Sequence, residues 1–225
     1  MVFLYQQSQH SIIANKNYSS WSLRGWLALK AFDVPFEEIK LSLFTEDFYN
    51  TLSLYSPVQK VPVLVDGDLS VWDSLAIAEY VNETYLSGKG WPAEPKKRAL
   101  ARSVVAEMHS GYSALRNEMP MNCRAKRKIE LSQRAQQDLE NISHLWEKLR
   151  SQHQDQGPYL FGEFSLADAF FAPVAFRFVT YGIELEGVAK DYHQAMLNHP
   201  AMQEWLADAL NETDIVEEDE AGEPV

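Results

Sequence analysis

Three short stretches in the first third of the chain put polar side chains where chemistry could use them. Ser19 and Ser20 stand between a short apolar run and a helical pattern. A helix start offers free backbone N–H groups and the positive end of the helix dipole. A thiolate placed there is stabilised, and a serine hydroxyl can donate it a hydrogen bond. Val61-Pro62 opens a strand. A cis X–Pro bond at that point would turn the Val61 edge outward, where its N–H and C=O could pair with an extended peptide ligand. Asp73-Ser74 directly follows a strand and opens a helix. Ser74 with its neighbouring N–H groups can hold a carboxylate and Asp73 an ammonium, which together suit the α-amino acid end of a small peptide. Taken singly, each stretch reads better as local structure: serine and aspartate as N-caps, and an ordinary trans proline at a strand start.

The surrounding pattern supplies the elements that must position these residues. Residues 11–14 (SIIA) read as a short strand, and residues 15–20 (NKNYSS) as turn chemistry. Leu23, Trp26, Leu27 and Lys30 fall at helical spacing within residues 21–32. Pro35 stops that helix, residues 36–41 alternate as a strand, and Thr45 can cap a helix over residues 45–54. PVLV and LSVW flank Asp66-Gly67, a strong hairpin signal. Residues 74–85 carry Leu75, Ile77, Ala78 and Val81 on one helical face. The Gly- and Pro-rich stretch 87–95 reads as a linker, after which strand signals stop. Long helical patterns then cover residues 95–119, 124–151 and 165–181, with shorter ones after Asp191 and Pro200. The expected architecture is an α/β domain over residues 1–86, a linker over 87–95 and an all-helical domain over 96–211.

Charge and cysteine content narrow the function. The chain has 225 residues, with 20 Lys+Arg against 32 Asp+Glu and a net charge of −12, which argues against nucleic acid or an anionic membrane surface as partner. One cysteine, Cys123, excludes a disulfide scaffold and fits a reducing cytoplasm. Residues 1–10 carry no secretory signal pattern, and no stretch is apolar over bilayer-spanning length. Residues 212–225 hold seven acids and no base, so a frayed, solvated tail is expected. The histidines and Cys123 form no metal-ligand pattern. His109, Tyr112 and Arg116 stand at i, i+3 and i+7, sharing a helical face that either lines a cleft or faces solvent.

In combination, the run YSSWSLR from Tyr18, then Val61-Pro62, then DSLAIAEY from Asp73 resembles the glutathione transferase superfamily. The resemblance covers nearly the whole chain except the tail. It implies a thioredoxin-like N-terminal domain followed by a helical bundle, with Ser165-Leu-Ala-Asp168 matching the superfamily's helical-domain capping box. Within the superfamily, Ser19-Ser20 followed by Arg24 is most similar to the zeta class, the maleylacetoacetate isomerases. Trp21 stands where that class has a cysteine, so redox chemistry of the omega type is not expected. The resemblance implies Ser19 as catalytic residue and Ser20, Lys60, Val61, Pro62, Asp73 and Ser74 as the residues that hold glutathione. Its γ-glutamyl end would lie at Asp73-Ser74, its cysteinyl backbone on Val61 and its sulfur at Ser19. Zeta enzymes carry a carboxylate-binding arginine seven residues beyond the proline of the capping-box helix. Here that proline is Pro173, the matching residue is Thr180, and Arg177 lies about one turn earlier.

Three functions follow as expectations. The first is a glutathione transferase that activates the thiol for attack on a small electrophile, a detoxifying cytoplasmic homodimer without a metal. The second is a glutathione-dependent cis–trans isomerase of the maleylacetoacetate type, and the third a non-catalytic binding module. His109, Tyr112, Arg116 and Arg177 are the candidate substrate-site residues.

Overall fold

The apolar run at residues 11–14 becomes the buried centre of a four-stranded sheet. The structure, a computed structural model, describes residues 9–225; residues 1–8, most of the stretch read above for a secretory signal, lie outside them. β1 (His10–Ala14) pairs in parallel with β2 (Glu37–Leu41) and antiparallel with β3 (Val63–Asp66). β4 (Leu69–Trp72) pairs antiparallel with β3, giving the order β2-β1-β3-β4. Both faces of β1 are covered, which is why its residues are apolar without alternation. α1 (Ser20–Lys30) and α3 (Ser74–Thr84) cover one face, with Leu29, Ile77 and Val81 packed around Leu64. α2 (Glu46–Ser53) covers the other, with Phe48 and Leu52 against Ile12, Ala14 and Val63. Thr45 caps α2 by accepting from the Phe48 N–H at 3.1 Å.

The Val61–Pro62 bond is cis. The Pro62 ring sits so close to α1 that a Cβ at Gly25 would lie 2.7 Å from its Cγ. Glycine in a helix interior costs about 0.5–1 kcal/mol relative to alanine, and here the close approach requires it.

The second half is helical: α4 (Pro95–Ser110), α5 (Ser113–Glu118), α6 (Gln133–His153), α7 (Leu166–Thr180), α8 (Gly187–Asn198) and α9 (Pro200–Asn211). α7 is the axis of this half, with every residue but Val179 buried. The two halves are joined through it: the Arg24 Nε of α1 donates to the Phe170 carbonyl at 3.1 Å. Trp26 of α1 also meets Trp205 of α9 edge-to-face, with centroids 5.3 Å apart.

Three expectations need correction. The helical pattern over residues 95–119 is two helices, because the chain breaks at Gly111-Tyr112 and Tyr112 adopts a left-handed φ of 54°. Residues 124–132 are not helical; α6 begins only where Ser132 accepts from the Ala135 N–H. Residues 212–225 are not a frayed tail. They form a strap in which β6 (Glu223–Pro224) pairs antiparallel with β5 (Arg127–Lys128). Three of its acids, Glu212, Asp214 and Glu220, meet donors far back in the chain. Glu212 accepts from the N–H groups of Lys16 and Asn17 at 2.9 and 3.0 Å and pairs with Lys40 at 3.0 Å. Asp214 accepts from Asn15 Nδ2 and Ser42 Oγ, both at 2.8 Å.

The start of α7 depends on one buried carboxylate. Asp168 accepts from the Ser165 N–H, the Ser165 hydroxyl and the Leu160 N–H at 2.8, 2.9 and 3.0 Å. Burial pushes its carboxyl up to about 6 in spite of these bonds. Asp168→Ala should lower the unfolding free energy in urea by about 2–4 kcal/mol, since two buried N–H donors lose their acceptor. A loss below half of one kcal/mol would show that the carboxylate is dispensable to the fold.

Candidate functional site

The turn between β1 and α1 presents Ser19 as the N-cap of α1. Its Oγ accepts from the Ser22 N–H at 3.4 Å and donates to Ser22 Oγ at 2.7 Å. Ser22 Oγ in turn accepts from the Ala14 N–H at 3.0 Å. The Ser19 hydroxyl is therefore held at the positive end of α1, with a proton that can be redirected without leaving the Ala14 N–H unpaired.

Ser19, Ser20 and Trp21 line a cavity of about 590 Å³ between the two halves of the molecule. Lys60 and Val61 line its sheet-side edge, and Arg116 and Arg177 its helical side. Phe44, Tyr49 and Val58, exposed despite their apolar side chains, form a further wall. Four of the residues expected from sequence to hold a ligand therefore meet here: Ser19, Ser20, Lys60 and Val61. Pro62 lies behind Val61 against α1 and does not reach the cavity.

Asp73 and Ser74 lie outside the cavity lining. Asp73 caps α3, Oδ1 accepting from Leu75 and Ala76 N–H groups at 2.8 and 3.3 Å. It does so with a φ of 74°, a backbone state that costs a non-glycine residue about 1–3 kcal/mol and points to a constrained site. The Ser74 Oγ is buried and has no hydrogen-bond partner. Local capping thus accounts for Asp73 but leaves the Ser74 hydroxyl unused.

The expected common face of His109, Tyr112 and Arg116 does not form, because α4 ends between them. His109 Nε2 lies 2.8 Å from Asp73 Oδ2 and its ring meets Trp21 edge-to-face. Tyr112 is buried, and burial with the nearby Glu107 pushes its phenol above the usual range. Arg116 alone of the three reaches the cavity; its Nη1 donates to the His109 carbonyl at 3.1 Å. Arg177 also lines the cavity, whereas Thr180 is buried and donates to the Asn122 carbonyl. Arg177 Nε donates to the Met119 carbonyl at 2.7 Å, while its Nη1 is buried without an acceptor. Burial, with the charge of Arg116, lowers Arg177 to about 10.

Among the cavity residues to which the sequence reading gave no place in the site are Trp21 and Asp219. Trp21 carries the guanidinium groups of Arg24 and Arg116 within 4.4 and 5.2 Å of its ring centre. Asp219 reaches the cavity from the strap. Burial raises its carboxyl to about 6, with Arg177 opposing and Glu218 adding to the rise. The run RAKRK from Arg124, four bases in five residues, was the available signal that the acidic segment has a docking partner. Among the described residues no group of three or more His, Cys, Asp or Glu side chains could hold a metal ion, and no helix is long and apolar enough to cross a membrane.

Comparison with known proteins matches this arrangement at both ends of the chain. Residues 18–84 match the family model of the glutathione S-transferase N-terminal domain and residues 129–208 that of its C-terminal domain. A probable maleylacetoacetate isomerase of Caenorhabditis elegans is 30% identical over 168 residues, 74% of this chain and 77% of that protein. The chain belongs to the glutathione S-transferase superfamily. Within it the sequence is zeta-like: the mouse maleylacetoacetate isomerase is 37% identical over 103 residues, though these are only 44% of this chain and 46% of that protein. A glutathione transferase homologue from Burkholderia, solved with bound glutathione, superposes with a TM-score of 0.68 at 22% identity, over 90% of this chain and 98% of that one. That likeness carries the glutathione transferase fold, and the thioredoxin-like and helical halves both take part in it.

The strap touches Asn15, Lys16, Asn17 and Tyr18, the four residues directly before Ser19. Cutting the chain before Glu212 should therefore speed hydrogen exchange at the Lys16 and Asn17 amides by at least about ten-fold, because both lose their acceptor. Unchanged protection at these two amides would mean that the turn holds itself.

Proposed function

We propose that this protein binds glutathione in the Ser19 cavity and activates its thiol for attack on a small electrophile. The observation that carries this reading is the hydroxyl of Ser19, held at the N-terminus of α1 and opening on a cavity edged by Val61. In this reading the cysteinyl backbone pairs with Val61, Lys60 and Ser20 lie alongside, and Pro62 fixes the edge. The γ-glutamyl end reaches towards Asp73-Ser74, at the N-terminus of α3. Asp73 then exchanges part of its pairing with His109 for the ligand's ammonium.

The chemistry is modest and sufficient. On binding, the thiol proton leaves to solvent and the Ser19 hydroxyl turns from Ser22 to the sulfur. A hydrogen bond to a charged group contributes about 1.5–3 kcal/mol and a helix N-terminus about 0.3–1 kcal/mol. At 1.36 kcal/mol per pH unit, together they bring an ordinary thiol of about 8.5 to near neutrality. The thiolate forms the new C–S bond as the electrophile's leaving group departs, or as its double bond takes up a proton. Holding both reactants in one cavity supplies the rest of the rate.

A second reading, glutathione-dependent cis–trans isomerisation by addition, bond rotation and elimination, is favoured by one feature. Arg177 lines the cavity although it stands one turn before the position the zeta pattern uses. The relatives named maleylacetoacetate isomerase add to it. A non-catalytic module gains no support from a polar cavity built around a poised hydroxyl. The superfamily membership also supports a cytoplasmic homodimer with a role in detoxification. The exposed Leu69, Trp72 and Leu100 suit a two-fold contact. Sedimentation as a monomer at micromolar concentration would contradict the dimer.

Calorimetry with glutathione, followed by an electrophile panel that includes maleylacetone, separates the readings. Ser19→Ala should keep glutathione affinity and lower turnover at neutral pH by about ten-fold or more. If Ser20→Ala causes that loss and Ser19→Ala does not, the roles are exchanged. Asp73→Ala should raise the glutathione constant far more than it slows the chemistry; unchanged affinity with lost stability would leave Asp73 only its capping role.

A further inference from the structure

The electrophile side of the cavity carries an unusual charge arrangement. Arg116 and Arg177 line it from the helical half, and Asp219 lines it from the strap. Arg177 is only 3% exposed, and its Nη1 has no acceptor, so the strap carboxylate shares the cavity with the guanidinium without bonding that nitrogen. The charged groups that act on Asp219 are Arg177 of α7 and its own neighbour Glu218, and Asp219 in turn acts on Tyr181, just past the end of α7.

Asp219 is not free to swing away. Next to it, Glu220 accepts from Tyr18 Oη and from Asn122 Nδ2 and pairs with Arg127. The β5–β6 pairing holds the strap beyond it, and Arg124 donates to the carbonyls of Glu212 and Asp214 before it. A carboxylate fixed at both flanks costs little further ordering to act on whatever enters the cavity.

We propose that Asp219 is a specificity-determining residue, which makes the cavity select neutral electrophiles over the carboxylate-bearing ones that Arg116 and Arg177 would otherwise capture. This deepens the transferase reading and rests on the assignment of the cavity as the electrophile site. Arg116 and Arg177 present positive charge to the cavity and Asp219 negative charge, so a neutral group with both donor and acceptor functions, such as an amide, suits the two walls. A carboxylate satisfies Arg177 and is repelled by Asp219.

The test compares wild type, Asp219→Asn and the double variant Asp219→Asn with Arg177→Met. Binding is followed by calorimetry, well above the pH range in which Asp219 takes up a proton. One probe pair is S-benzylglutathione and S-(para-carboxybenzyl)glutathione; the other is para-nitrobenzamide and para-nitrobenzoate, without glutathione. In Asp219→Asn the carboxylate probes should tighten by at least about five-fold relative to their neutral partners, and the double variant should lose the gain. If the conjugates bind and their ratio does not change, or if the gain survives without Arg177, the proposal is overturned. If the conjugates fail to bind but nitrobenzoate still gains in Asp219→Asn, the glutathione reading falls and the role of Asp219 stands. If no probe binds any variant, both fall.

Discussion

Two backbone N–H groups, those of Lys16 and Asn17, take their acceptors from one carboxylate nearly two hundred residues away. Glu212 bonds both of them, and the turn they belong to delivers Ser19 to the start of α1. The same turn contains a buried cation. Lys16 Nζ pairs with Glu38 at 2.8 Å and Asp208 at 2.6 Å, between the rings of Trp26 and Trp205. A buried ammonium without partners costs several kcal/mol, so β2, α1 and α9 must all be in place before this turn is stable. Asn17 adds a third tie, donating to Asn122 Oδ1 and accepting from the Arg124 N–H, both at 2.9 Å. The geometry of the candidate nucleophile-activating group is thus a tertiary property, although the group sits in a local turn.

The cavity that opens beside this turn is bounded by like charges held apart. Arg116 and Arg177 lower the pKa of Arg24, and Arg116 that of Arg177, in addition to the effect of burial. Two devices keep them compatible. The Trp21 ring carries Arg24 and Arg116, whose guanidinium groups are well suited to an aromatic face. Backbone carbonyls of Phe170, His109 and Met119 each accept from one of the three. Two further nitrogens, Nη1 of Arg24 and of Arg177, are buried without acceptors. Nature rarely leaves such groups orphaned in a purely structural position, and Arg177 is itself a residue of the cavity wall.

Much of this was legible in the sequence wherever the signal was local. Asp66-Gly67 between two apolar runs, Thr45 before a helix, and the Pro62 strand start each act over a few residues. The elements they mark lie where turn and capping chemistry put them. The break after α4 was not legible, because the left-handed residue is Tyr112, a side chain with no preference for that state. Without the break, His109, Tyr112 and Arg116 form one face; with it, they go to three environments. The strap failed for a different reason. Seven acids predict self-repulsion only while their partners are unknown; those partners include the Lys16 N–H, Lys40 and Arg127, with Arg124 on the strap's backbone carbonyls, all distant in sequence. Asp73 was legible as a residue of consequence, but its pairing with His109 depends on how two halves of the chain dock.

The central claim is that the start of α1, through the Ser19 hydroxyl, stabilises a thiolate. The most direct measurement is the pH titration of protein-bound glutathione, followed by ultraviolet absorbance of the thiolate, in wild type and in Ser19→Ala. The account predicts that the bound thiol titrates more than about one pH unit below the free tripeptide in wild type, and returns most of the way in Ser19→Ala. A bound thiol that titrates like the free one, or a lowered value indifferent to Ser19, would contradict it.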